Sequence, residues 1–131
     1  MQVIRDNQPS DSSKRSVVTI GAYDGVHRGH QAVIGQVRKE AQQLDCQSVV
    51  VTFDKHPASV VRPASAPKLL TDLDQKLELL QQTGIDATLI VEFNRERSTE
   101  DPALFVKRVL VDTLRARVVV VGEDFHFGFN R

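Results

Sequence analysis

Tryptophan is missing from this 131-residue chain, tyrosine and cysteine occur once each, and neither sign of charge is in excess. Each shortage excludes something. A single cysteine, Cys46, leaves no internal disulfide framework and agrees with a reducing, cytoplasmic setting. It falls near the end of a predicted helix without the neighbours of a catalytic thiol, and reads as a bystander. Lys plus Arg and Asp plus Glu number 17 each. There is accordingly no electrostatic case for nucleic acid, an anionic membrane surface or an acidic protein partner. No apolar run approaches the ~20 residues of a membrane span, and the N-terminus lacks a basic-then-apolar leader. What is present, 40% hydrophobic and 26% charged residues, suits one soluble domain with its own core, and the length does not stretch to two.

Residues 1–15, polar from Asp6 to Lys14 and carrying Pro9, read as a flexible N-terminal lead-in. A regular alternation then begins. Ser16 to Ile20 is a short β-branched run that predicts a buried strand. From His30 to Leu44, Val33, Val37, Ala41 and Leu44 share one stripe at helical spacing. Ser48 to Phe53 predicts a second strand, and His56 to Pro67, with Pro57 and Pro63, a long loop. Thr71 and Asp74 open a helix that buries Leu73, Leu77 and Leu80 and stops at Gly84. Ala87 to Phe93 predicts a third strand. Asp101 and Pro102 start a helix with Val106, Leu110 and Leu114 on one face, and Arg117 to Val121 a fourth strand. This order predicts an α/β fold, a parallel sheet with flanking helices. In such sheets ligands bind at the carboxyl ends of the strands, and the residues with chemical potential here follow strand ends.

The first strand runs into GAYDGVHRGH, Gly21 to His30. Gly21, Gly25 and Gly29 let the backbone approach a ligand, and the helix that follows offers free amides and a positive dipole end to phosphate. His27 and His30, three apart, can both donate to one anion, which suits negative charge developing on phosphorus. A metal pair is the weaker reading, since only four histidines occur and no cysteine cluster lies near. The pattern is neither G-x-G-x-x-G nor a P-loop. Asp24 has two readings of similar weight, a ligand or an Asp-Gly turn residue bonding its own backbone.

The H-x-G-H string resembles the signature of the nucleotidyltransferases, and G-x-[FY]-D-G-V-H-x-G-H the FMN adenylyltransferase branch found in prokaryotic FAD synthetases. Three later segments are similar to that family in order: TFDKHP (Thr52 to Pro57), KLLTDLDQKLELLQQTGID (Lys68 to Asp86) and VVVGEDFHFG (Val119 to Gly128). Tyr23 stands where phenylalanine is more usual, and Lys55 where proline is common.

The resemblance implies a Rossmann-like sheet and transfer of AMP from ATP to FMN, giving FAD and pyrophosphate with Mg2+ as cofactor and no covalent enzyme intermediate. It makes His27 and His30 the catalytic pair. Gly21, Tyr23, Asp24, Gly25, Gly29, Gly122 and Asp124 become ATP-binding; Phe53, His56, Pro57, Phe125 and Phe127 become flavin-binding. Phe125 is equally well read as core, and Phe127 as an aromatic able to lie on the flavin ring. It further implies a longer protein. The family's S-S-T-x-[IV]-R segment and its riboflavin kinase domain fall beyond Arg131. Residues 16–131 are then an adenylyltransferase domain incomplete at its C-terminus, expected to be weak or inactive alone. Two alternatives stay open: another H-x-G-H nucleotidyltransferase acting on a nicotinamide, pantetheine or glycerol phosphate, and a non-catalytic nucleotide- or flavin-binding module.

Overall fold

Five strands form one sheet in the computed structural model, which describes residues 1–5, 15–21, 23, 28–54, 73–92, 104 and 106–121, the side chains of 28 and 106 excepted. They are β1 (Gln2–Arg5), β2 (Ser16–Ile20), β3 (Gln47–Phe53), β4 (Ala87–Val91) and β5 (Ala116–Val121). All pair in parallel in the order β1-β4-β3-β2-β5. The helices are α1 (Arg28–Leu44), α2 (Leu73–Gln82) and α3 (Val106–Thr113).

β2, β3 and β4 are buried at every position, because helices cover both faces of a parallel sheet and leave no side for polar residues to face water. On one face Val18, Val49, Val51, Phe53 and Leu89 pack with Val109, Leu110 and Leu114 around α3. On the other, Val17, Val50 and Ile85 pack with Ile34, Val37 and Ala41 of α1 and Leu80 of α2. The α1 stripe is therefore the expected one with Ile34 added, and Cys46 joins the same cluster as a buried small apolar side chain.

The lead-in over residues 1–15 needs correction at its start, where Gln2–Arg5 is an edge strand in register with Ala87 to Ile90. Only Ile4 of its four residues is buried, so nothing alternates strongly enough to announce a strand. The third helix also departs from expectation. It is wound widely, with the Leu114 amide bonding the Val109 carbonyl five residues back, so Val109 joins Leu110 and Leu114 in the core.

Polar ties set the register at the amino ends of the strands. Asp86 accepts from the Ser48 amide at 2.9 Å and hydroxyl at 3.0 Å, while its own amide donates to that hydroxyl. Gln47 donates to the Ser16 hydroxyl at 3.0 Å, which donates in turn to the Leu114 carbonyl.

Candidate functional site

β2 lies between β3 and β5: the chain steps from β2 to β3 and β4 on one side, then returns from β4 to lay β5 on the other side of β2. That reversal is the switch point of an open α/β sheet, where a crevice opens beyond the carboxyl ends of the strands. GAYDGVHRGH follows β2 in sequence and GEDFHFG follows β5, the two strands paired at this reversal.

Gly21 continues β2 by one rung, its buried amide donating to the Val51 carbonyl at 3.0 Å. Tyr23 then takes a left-handed conformation (φ 51°), uncommon for a residue with a side chain. This turns the ring back onto the sheet end. The ring is buried, its hydroxyl shares a 2.6 Å hydrogen bond with Thr19, and its centroid lies 4.7 Å from that of His30, tilted by 50°. Gly21 is required beneath it, since a Cβ there would come within 2.9 Å of the Tyr23 ring. Burial raises the Tyr23 phenol above its ordinary pKa, opposed by the Thr19 hydrogen bond. Tyr23 is thus a buried platform for the first turn of α1.

His30 is half-buried against that platform, and Gly29 beside it is exposed. No acidic residue occupies the first turn of α1. The dipole of a helix start favours an anion, and no carboxylate in that turn opposes one. Of the other expected residues, Phe53 is fully buried, its ring inside the core on the α3 face. His27, Asp24, Gly25, His56, Pro57, Gly122, Asp124, Phe125 and Phe127 lie outside the described residues, as do Thr71 and Phe93.

Two participants were not anticipated. Thr19 reads as one more β-branched strand residue, and nothing marks it as the partner of a tyrosine. Lys76, buried at 5% exposure, donates to the Phe53 carbonyl at 3.0 Å and approaches the Thr52 hydroxyl at 3.4 Å. Its signals are its place within the KLLTDLDQKLELLQQTGID segment that resembles the family and its position four residues before Leu80 on the apolar side of α2.

A parallel sheet with helices on both faces and a helix start at the switch point defines an α/β fold of the nucleotidyltransferase type. The chain belongs to the FAD synthetase family, whose family model matches residues 9–131. It is 41% identical over 115 residues to the bifunctional riboflavin kinase/FMN adenylyltransferase of Pseudomonas fluorescens, covering 88% of this chain and 37% of that protein. The Escherichia coli K12 protein of the same name is 36% identical over the same shares. That of Buchnera aphidicola from Acyrthosiphon pisum is 31% identical across 100% of this chain and 42% of its own length. The chain therefore spans about two fifths of the curated relatives it matches. Among solved structures, the macrolide-efflux protein of Streptococcus pneumoniae shares the fold, with a TM-score of 0.79 over 98% of this chain, 43% of that one, and 22% identity. Among the described residues no helix is long and apolar enough to cross a membrane.

Proposed function

We propose that this chain is the adenylyltransferase module of a longer enzyme, moving AMP from ATP onto FMN to form FAD and pyrophosphate. The observation that carries the reading is the corner formed by Gly21, Tyr23 and His30 at the switch point, within a chain of the FAD synthetase family. An oxygen of the FMN phosphate attacks the α-phosphorus of ATP, a new P–O bond forms, and the bond to the β-phosphate oxygen breaks. Such a transfer calls for positioning and charge stabilisation more than for a protein nucleophile. The start of α1 receives phosphate oxygens, and His30, with His27 in the same motif, donates hydrogen bonds as charge builds on the phosphorus. Tyr23 serves this chemistry from below, holding the His30 ring instead of touching the nucleotide.

Mg2+ belongs to this reading as the companion of ATP phosphates. No group of three or more His, Cys, Asp or Glu side chains among the described residues is arranged to hold a metal ion. The relatives' names pair this activity with riboflavin kinase, which the reading assigns to sequence outside the matched span.

The test is conversion of FMN and ATP to FAD with equal release of pyrophosphate, run beside nicotinamide mononucleotide, phosphopantetheine and glycerol phosphate as acceptors. FAD formation with FMN alone supports the assignment. Turnover of another acceptor in preference overturns it, and binding of FMN and ATP without pyrophosphate release indicates a binding module. His30→Ala is expected to lower kcat about 10²-fold while changing the FMN KM little. A variant with near-normal kcat removes His30 from the chemistry.

A further inference from the structure

A cleft of about 570 Å³ opens at the amino end of the sheet, away from the start of α1. It lies between the second half of α1, the turn into β3 and the Gly84–Asp86 turn into β4. That volume suits a small molecule better than a single ion. Ala41, Cys46 and Ser48 line it as buried residues, and Gly35, Arg38 and Lys39 of α1 as exposed ones.

Its lining carries features that the fold itself does not use. A Cβ on Gly84 would lie 2.9 Å from Cζ and Nη2 of Arg38 and 3.2 Å from Nε, so the guanidinium lies face-on over this glycine. Its N–H groups all lie in the guanidinium plane and stay clear of Gly84. Among the described residues, neither the Arg38 guanidinium nor the Lys39 ammonium makes a hydrogen bond or ion pair. Asp86 takes both Ser48 donors on Oδ2, which leaves Oδ1 to accept. Gly35 sits inside α1, where glycine costs stability relative to alanine, yet a Cβ there would meet nothing within 4 Å. No crowding within the chain calls for that glycine, whereas a body laid across α1 would.

Asp45 also lines the cleft, so two carboxylates balance the two cations and a bare anion gains little from the local field. A ligand that fits carries an anionic group for the cations and hydroxyls for a carboxylate. We infer that this cleft binds a polyhydroxylated small molecule bearing a phosphate or carboxylate. The anionic group meets the planar fork of Arg38 with Lys39 beside it, hydroxyls donate to Asp86, and the body crosses Gly35. This site stands apart from the proposed transfer chemistry and does not depend on it.

Amide NMR of the chain at constant ionic strength tests this, with ribose 5-phosphate and gluconate as the phosphate and carboxylate probes. Amides of Gly35, Gly84, Cys46 and Ser48 report on the cleft, and those of Gly29 and His30 on the start of α1. At least one probe is expected to shift the cleft amides saturably, and the tighter one identifies the anionic group. It should bind about fivefold more tightly than inorganic phosphate or acetate, and about tenfold more tightly than ribose, which has no anionic group. Arg38→Gln should weaken it about tenfold. Gly35→Leu should abolish binding with the urea midpoint unchanged or raised, because the added side chain meets open space in the protein. The inference is overturned if neither probe shifts the cleft amides, if the shifts are confined to Gly29 and His30, or if the bare anion binds as tightly. A folded Arg38→Gln or Gly35→Leu that binds like the unsubstituted chain overturns it too. Should Arg38→Gln not fold, Gly35→Leu decides by the same criterion.

Discussion

Tyr23 concentrates three demands on one side chain: a left-handed backbone, a buried hydroxyl and a face turned to His30. Removing the hydroxyl leaves Thr19, itself fully buried, without that partner. Tyr23→Phe should therefore lower stability by about 1–3 kcal/mol in urea unfolding, less if a water reaches the gap. Gly21→Ala acts on the same ring from below, and overpacking of this kind costs about 1–3 kcal/mol. Its signature should be a loss of FAD formation larger than the loss of folded protein at the assay temperature, because the displaced ring carries His30. The sequence marks Tyr23 and His30 as site residues through their motif. It does not reveal that Tyr23 faces inward, since a positive φ at a tyrosine has no signal in residue type.

At the level of elements, the helix ends show how local chemistry and packing combine. α1 closes with Asp45 in the left-handed region (φ 54°), its amide on the Gln42 carbonyl and the Cys46 amide on the Ala41 carbonyl. This is the Schellman arrangement, with Ala41 and Cys46 both buried as its apolar pair. Cys46 thus has a packing role that composition alone left blank. α2 ends at Gly84 (φ 81°), beneath the Arg38 guanidinium. Gly84→Ala should cost about 1–2 kcal/mol in urea unfolding, mostly from the backbone, since Arg38 can swing aside. The strands were legible where β-branched residues run together, as in SVVTI and SVVVTF. β1 was not, because an edge strand buries one side chain where a central strand buries all. Lys76 escaped for a related reason: patterning reads a lysine as solvated, and its bonds to the Phe53 carbonyl and the Thr52 hydroxyl leave no trace in residue type.

For the molecule as a whole, alkaline pH gives a readout free of substrates. Burial holds the Tyr23 phenol neutral in the folded state beyond its ordinary pKa of 10.0. The unfolded chain then loses its proton first, so this contribution is present in full below pH 10.0 and is lost as pH rises through the folded-state value. The urea midpoint should fall more steeply above pH 10 for the unsubstituted chain than for Tyr23→Phe, and equal slopes would contradict the burial. Because the chain has one tyrosine and no tryptophan, tyrosinate absorbance follows this residue alone.

The strand order also sets a timetable for a chain emerging from the ribosome. β1 lies beside β4, and β2 is flanked on one side by β5, so neither early strand can be fully clothed until a late one has been made. Among the described strands, β2 and β3, bridged by α1, are the first neighbours that synthesis can join, and each still waits for a later strand on its other side. Non-local parallel pairings of this kind form slowly, and the apolar strands stay exposed while they wait for their late neighbours.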